Sequence, residues 1–346
     1  MDRTVVVTGG AGFVGSNLAR RLLDDDEGVH VIVFDRAVDD LAWGLFAPYA
    51  DRVTIHIGDI TSPESLASVA RQDEITHVAH GAMVAHVPQW ESDDPTRFVH
   101  VNVVGTSNVL EWARRLPSLE RLVYVSSGGV YGDATPDSPE APQTESGPFN
   151  PPELYAISKY TSELITRRYG VLFGLDVRAV RLSWVFGPME RVTSSRTLMS
   201  PPYAIARAII EDRPVTVTRR SLQAVGDFLS STDIAPALRS LLFAAEPRHA
   251  AYNIAAGELT TIADLLDLAA RAQPGARHEV VADGTSADID HDPALRRARW
   301  NAYDIERMRS EFGWGPRPLA EQLETYYAWV LDDPAARCPA VTPSPA

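Results

Sequence analysis

Eight residues near the amino terminus, Thr8-Gly9-Gly10-Ala11-Gly12-Phe13-Val14-Gly15, constrain this chain more than any other stretch. They follow a β-branched run, Thr4-Val5-Val6-Val7, and open Phe13–Leu23, where Val14, Leu18 and Leu22 form one apolar stripe. Strand, glycine turn and helix in that order give the glycines separate jobs. One permits the tight turn, a second lets backbone approach a pyrophosphate, and a third lets helix and strand pack closely. The helix start then offers unpaired N–H groups and the positive end of its dipole to phosphates. Gly9, Gly12, Phe13, Val14 and Gly15 are therefore expected to hold a dinucleotide.

The first half of the chain continues the pattern. Short runs at Val5–Thr8, Val29–Phe34, Val53–Ile57, His77–Ala79, Leu122–Ser126 and Val177–Leu182 alternate with amphipathic stretches. Such alternation predicts βαβ units, and with right-handed crossovers it predicts an α/β, doubly wound parallel Rossmann sheet. Asp35 closes the second strand 20 residues after Gly15, where its carboxylate can accept hydrogen bonds from a ribose diol. A carboxylate there repels a 2′-phosphate and favours NAD over NADP, although the adjacent Arg36 could pair with such a phosphate.

The rhythm breaks at Asp133–Pro152, whose six prolines exclude a long helix and predict an ordered loop across the carboxyl edge of the sheet. Beyond Pro188, helices are expected near Pro202–Glu211, Asp233–Ala245, Ile262–Ala272 and Leu319–Leu331. The organisation read from this is a Rossmann domain over 1–182 with 227–250 returning to it, a smaller substrate lobe over 183–226 and 251–331, and a proline-bearing disordered tail over 332–346. A formal charge of −14 argues against nucleic acid, which needs a basic face. Cys338 is the only cysteine, which excludes an internal disulfide and a cysteine metal cluster, and the nine histidines lack ligand spacing, so no metal is expected. No apolar run is long enough to span a bilayer, and no export segment precedes the first strand, so a cytoplasmic protein with no membrane partner is expected.

Chemistry is expected at Tyr155-Ala156-Ile157-Ser158-Lys159. The i, i+4 spacing puts a phenol and an ammonium on one helix face. A free phenol titrates near ~10 and is a poor base at neutral pH, but a nearby cation stabilises the phenolate. It can then exchange a proton with a substrate hydroxyl while hydride moves to or from a nicotinamide. Ser127, at the end of Tyr124-Val125-Ser126-Ser127 and before Gly128-Gly129, places a hydroxyl at the same edge. Ser126 is read as satisfying backbone groups in the turn.

Taken together, Thr8–Gly15, Asp35, Gly58-Asp59-Ile60, Asn102–Thr106, Ser127, Tyr155–Lys159 and Arg181…Phe186-Gly187-Pro188 resemble the extended short-chain dehydrogenases/reductases of the NAD-dependent epimerase/dehydratase type. The resemblance runs from about Thr4 to Leu331, with Asp227-Phe228, Tyr252-Asn253-Ile254 and Phe312–Pro316 similar to carboxyl-terminal landmarks. It implies Tyr155 as the proton-transfer residue, Lys159 on the nicotinamide ribose, and Ser127 on the reacting oxygen. It also implies Asn102 near the cofactor, Asp59 and Ile60 at the adenine, Phe13 and Val14 at the pyrophosphate, Ala79 against the cofactor, and a homodimer.

Departures from the family narrow the substrate. Dehydratases and decarboxylases carry acidic residues after the Ser/Thr, where this chain has Gly128 and Gly129, leaving oxidation, reduction or epimerisation. The arginine that meets a nucleotide-sugar diphosphate is replaced by Gly226, and the asparagine that helps hold the nucleotide sugar by Trp184. Arg191 and Arg196 could clamp a small carboxylate, and His86, Gly128 and Trp184 could face the substrate; a solvated loop, a structural histidine and, for Trp184, packing ahead of sugar stacking are the alternatives. His80 has no assignable role from sequence. The expected function is NAD-dependent oxidation or epimerisation at a hydroxyl of a sugar-like small molecule, with a free sugar or sugar acid favoured. A nucleotide-sugar 4-epimerase is the alternative, and a non-catalytic NAD(P)-binding sensor is the alternative of another class.

Overall fold

The computed structural model describes residues 3–132, 141–291, 301–333 and 337–338. Its first six strands are β1 (Arg3–Thr8), β2 (Val29–Asp35), β3 (Val53–Ile57), β4 (Ile75–His80), β5 (Arg121–Ser127) and β6 (Val177–Leu182). Four short strands follow, β7 (Trp184–Phe186), β8 (Val215–Thr218), β9 (Val225–Gly226) and β10 (Phe228–Ser230), then β11 (Ala251–Ile254). The main sheet has the order β11-β6-β5-β4-β1-β2-β3, and all its pairings are parallel. Val5, Val6 and Val7 are each at most 1% exposed, so β1 is covered on both faces, as its unbroken apolar run predicts.

The chain builds β1, β2 and β3 outward, then crosses back to place β4 on the other side of β1. That reversal opens a crevice above the carboxyl ends of β1 and β4, the place where doubly wound sheets bind ligands. All six sequence-predicted strands lie in this sheet. The seventh, β11, was not anticipated, because Ala251-Tyr252-Asn253-Ile254 is short and carries an asparagine inside. The domain boundary expected at 250 therefore falls one strand early. Met308 and Trp314 also join the core beneath the sheet, with the Trp314 indole N–H donating to the Asp233 carbonyl, so the segment before the last helix belongs to the main domain.

The smaller lobe surrounds a second core. Helices Pro201–Ile210, Ile262–Ala272 and Leu319–Asp332 pack Tyr203, Ile205, Leu265, Leu323 and Tyr326 against Phe186 and Val215. Strand β7 pairs with β10, β8 with β13 (His278–Val281), and β9 with β12 (Thr260–Thr261). The helix expected from Pro202 starts at Pro201 because the Ser200 hydroxyl caps it at the Tyr203 N–H. The one expected from Asp233 starts at Ser231, capped by Ser230.

Two segments differ from expectation in part. Of the supposed tail, Cys338 is fully buried in the lobe core, its carbonyl accepting from Arg207, while 334–336 and 339–346 lie outside the described residues. Of the proline-rich loop, 133–140 lie outside them too, and the remainder is ordered by backbone bonds between Gln143 and the Ala302–Asp304 stretch. Among the described residues no helix is long and apolar enough to cross a membrane.

Candidate active site

The glycine turn sits at the bottom of the crevice. Gly9 has φ +71°, and a Cβ there would stand 2.8 Å from the Ala82 amide nitrogen. A Cβ on Gly15 would stand 2.2 Å from the Gly9 carbonyl oxygen, so the third glycine is fixed by close helix packing. Helix Phe13–Asp25 begins at Gly12 with no side-chain cap and no acidic residue in its first turn. Its leading N–H groups are left for an anion. The Asp35 carboxylate accepts from the Ala11 N–H at 3.1 Å and the Arg36 N–H at 2.8 Å, and burial raises its pKa. Cradle, free helix start and carboxylate fit the pyrophosphate and ribose of a dinucleotide.

One cavity of ≈ 530 Å³ joins this cradle to the proposed chemistry. Of the residues expected at the cofactor, Gly9, Gly12, Phe13, Val14, Gly15, Asp35, Arg36, Asp59, Ile60 and Ala79 line it. Ser127 and Tyr155 line it as well, with His86, Trp184, Arg191 and Arg196. Asn102 does not. Its amide is buried, accepting from the Val84 N–H at 2.9 Å and donating to the Ser158 hydroxyl at 2.9 Å. It braces the loop after β4 against the helix that carries Tyr155, a positioning role.

Tyr155 lies in the first turn of helix Leu154–Phe173 and Ser127 at the end of β5. Burial pushes the phenol above its ordinary value, while hydrogen bonding from Ser127 and the charge of Arg196 pull it back. The phenol O–H donates to the Met83 sulfur at 3.6 Å, and the Ser127 hydroxyl accepts from the Gly129 N–H at 3.1 Å. Lys159, one turn further on and buried, donates to the Val125 carbonyl at 2.6 Å and lies 4.4 Å from the Tyr124 ring centre. Desolvation lowers its pKa to about 7, opposed by Glu163. Glu163 is itself held by Arg181 at 2.5 Å with both side chains fully buried, which fixes the helix to β6.

His80, uninterpreted from sequence, has a structural account. Its ring nitrogens meet the Thr8 hydroxyl at 2.7 Å and the Thr106 hydroxyl at 3.0 Å. Burial lowers its pKa to about 3, so it stays neutral and ties β4 to the start of the glycine turn. Met83 was missed, and Thr8 and Thr106, though inside the quoted motifs, were given no role of their own, since the fold rather than the spacing brings them to His80.

The residues expected to meet substrate fare differently. Gly128 is closed off: a Cβ there would stand 2.0 Å from the Tyr303 hydroxyl oxygen, so the residue faces a buried phenol and not the cavity. Arg191 is not a free carboxylate clamp. It is 6% exposed, pairs with Asp39 at 2.5 and 2.9 Å, and donates to the carbonyls of Ala11 and Met189. Its charge is taken up in fastening the glycine turn to the lobe. Arg196 donates to Glu190 at 2.6 Å and stacks 5.2 Å from the Phe13 ring, but its buried Nε has no hydrogen-bond partner. His86 lies 6.2 Å from the Tyr155 ring centre and 3.6 Å from Glu153. Trp184 borders the cavity and packs on Phe228.

The family model described as "NAD dependent epimerase/dehydratase family" matches residues 5–255. A putative UDP-glucose 4-epimerase of Methanocaldococcus jannaschii is 26% identical over 335 residues, covering 95% of this chain and 99% of that protein. A dTDP-glucose 4,6-dehydratase of Mycolicibacterium smegmatis is 34% identical over 188 residues, 54% of this chain, and that match spans only 55% of the relative's length. Among solved structures, the Thermus thermophilus UDP-glucose 4-epimerase in complex with NAD superposes with a TM-score of 0.73 at 26% identity, covering 94% of this chain and 98% of that one. The Bacillus anthracis dTDP-glucose 4,6-dehydratase in complex with NAD shares the fold, with a TM-score of 0.77 at 23% identity over 97% of this chain and 99% of that one.

Proposed function

This chain belongs to the NAD-dependent epimerase/dehydratase family, and we propose from that premise that it oxidises, reduces or epimerises a hydroxyl-bearing carbon of a sugar-like substrate in the cytoplasm. The observation that carries the reading is the convergence of Ser127 and Tyr155 on the carboxyl edge of β5, in the cavity that holds the glycine cradle, with the buried Lys159 one turn beyond Tyr155 and bonded to the Val125 carbonyl. Bound NAD supplies the hydride acceptor and donor. The chain's own residues handle the proton. The Tyr155 phenolate takes the hydroxyl proton as the C–H bond breaks, and Ser127 orients the reacting oxygen. Lys159, protonated, favours the phenolate electrostatically. The apolar walls exclude water, which strengthens each of these interactions.

Elimination chemistry is disfavoured on geometry as well as residue type, since Tyr303 fills the space where a side chain at 128 would stand. Two substrate readings remain, each with its own support. A free sugar or sugar acid is favoured by Gly226 and Trp184, which remove a cation and an amide from the substrate end. A nucleotide-sugar 4-epimerase is favoured by the names of the near full-length relatives, such as the UDP-glucose 4-epimerase of Mycolicibacterium smegmatis, 29% identical over 92% of this chain and 95% of that one. A turnover screen of free sugars, sugar acids and nucleotide sugars, scored for NADH at 340 nm and for product stereochemistry, decides between them. Absence of turnover across all three classes returns the chain to a binding-only role.

The homodimer belongs to the same proposal. Ile157, Leu164 and Val171 are exposed at seven-residue intervals on helix Leu154–Phe173, and Val99 and Val104 are exposed on the helix packed beside it. An apolar stripe of this kind buries well against its own copy. Leu164→Glu should shift the sedimentation coefficient to that of a monomer, and a wild type that already sediments as a monomer would refute the dimer.

A further inference from the structure

We propose that Trp184 is the specificity-determining wall of the substrate end and that Gly226 is its seat, the indole packing against the C–H face of a sugar ring. The proposal rests on the sugar-directed reading above and concerns what selects the sugar. Trp184 opens β7 and borders the cavity. Its ring lies 5.1 Å from Phe228 at 31° between planes, and 5.1 Å from His291 edge-on. A Cβ on Gly226 would stand 2.9 Å from the indole Cε3 and 2.7 Å from the Phe228 Cζ. Both approaches are closer than a methyl group tolerates, so the indole and the Phe228 ring together occupy space that any side chain at 226 would need. The two departures noted in sequence are one substitution in space.

The backbone cannot shift to relieve that crowding. Phe228 is paired to Trp184 across β10 and β7, and between Gly226 and Phe228 the Asp227 carboxylate accepts from the Ala256 and Gly257 N–H groups at 2.7 and 2.9 Å. Beside the indole, Val185, Leu198 and Met199 continue an apolar wall. A sugar is amphipathic in a directional way: its hydroxyls ring the edge and stay hydrated, while its C–H face is apolar. An indole buries that face without stripping the hydroxyls of partners. Sugars with an uninterrupted C–H face fit best, and an axial hydroxyl pointing at the indole is left unpaired, which is how the wall discriminates.

Two measurements test this, and the first needs no substrate. Thermal melting in the presence of NAD is compared for wild type, Gly226→Arg, Trp184→Asn and the double variant. Gly226→Arg should lower Tm by about 2–6 °C through overpacking. The double variant should recover part of that loss, because removing the indole opens one side of the space while Phe228 still closes the other; strictly additive losses overturn the coupling. The second measures KM and kcat for D-glucuronate and UDP-glucose on wild type, Trp184→Phe and Trp184→Asn. For whichever probe wild type turns over, the Asn variant should raise KM about tenfold or more while Phe stays within about threefold, with kcat little changed in either. Turnover with an unchanged Asn KM overturns the stacking wall alone. A wild type inert toward both probes overturns the sugar reading and the wall with it, whatever the melting cycle shows.

Discussion

The dinucleotide half of the crevice and the substrate half are built on different terms. In the first, the glycine turn, Asp35, Arg36, Asp59, Ile60 and Ala79 line the cavity, while Asn102 and Lys159 stand behind it. Asp35 is aimed by two backbone N–H groups, and the helix start at Gly12 is left uncapped. In the second, two of the residues singled out for the substrate are spent on the structure. Gly128 is walled off by Tyr303, and Arg191 is consumed by Asp39 and two carbonyls. A cofactor of fixed shape imposes fixed backbone geometry, which a spacing can encode. A cation in a loop encodes only a charge, and its partner is chosen by the fold.

The contrast is broken or sharpened most strongly at Tyr155. Tyr155→Phe removes the proton-transfer group and leaves the cradle untouched, so turnover should fall by about 10²- to 10⁴-fold while NAD affinity by calorimetry stays within about threefold. Full activity in that variant would sink the catalytic assignment. Next in size is Gly15→Ala. Its Cβ would sit 2.2 Å from a backbone oxygen that has no free rotor to move, so the turn itself must give. NAD affinity should fall at least about tenfold, with a lower melting temperature as well. Unchanged NAD binding would mean that close helix packing at the third glycine is dispensable.

These two positions show what was legible in the sequence. Six strands, the glycine turn and the Ser127–Tyr155–Lys159 set are carried by local pattern, period and spacing, which report on short-range geometry. Strand β11 escaped because its four residues lack a long apolar run, and its place beside β6 depends on the 68 residues between them. His80 was visible without a role and Asn102 was expected near the cofactor rather than as a brace, because their partners Thr106, Ser158 and Val84 are brought in by the fold. Trp184 and Gly226 were seen as separate losses, and only their contact shows that they compensate one another.

Arg191→Ala offers a smaller effect that discriminates between the halves. It deletes a bidentate pair whose Asp39 side is 47% exposed, and two carbonyl contacts, so solvent screening keeps the cost to about 1–2 kcal/mol. Because Ala11 belongs to the glycine turn, the loss should appear in melting temperature and NAD affinity, with KM for the sugar nearly unchanged. A raised sugar KM with normal NAD binding would restore Arg191 as a substrate clamp and erase the distinction drawn above.

The finest test uses pH, because the two halves titrate in separate windows. Lys159, in the first, has its folded pKa lowered from 10.5 to about 7 by burial. Below about 7 both folded and unfolded states hold the proton; between about 7 and 10.5 only the unfolded state does, so stability rises with pH across that window. Asp227, between β9 and β10, behaves oppositely, with burial raising its pKa from 3.8 to about 6. There the folded state keeps the proton longer, so its contribution to stability is lost as pH rises from 3.8 through 6. Melting temperatures of the cofactor-free protein should therefore differ between wild type and Lys159→Met by an amount that changes only above about pH 7. The difference between wild type and Asp227→Asn should change only below about pH 6. Both differences should move by a few degrees at most, since each is a single group in a 346-residue chain. If the Lys159→Met difference is flat from pH 7 to 10, the ammonium is not strained by burial in the resting protein. The first half of the crevice would then be less pre-formed than its hydrogen bonds indicate.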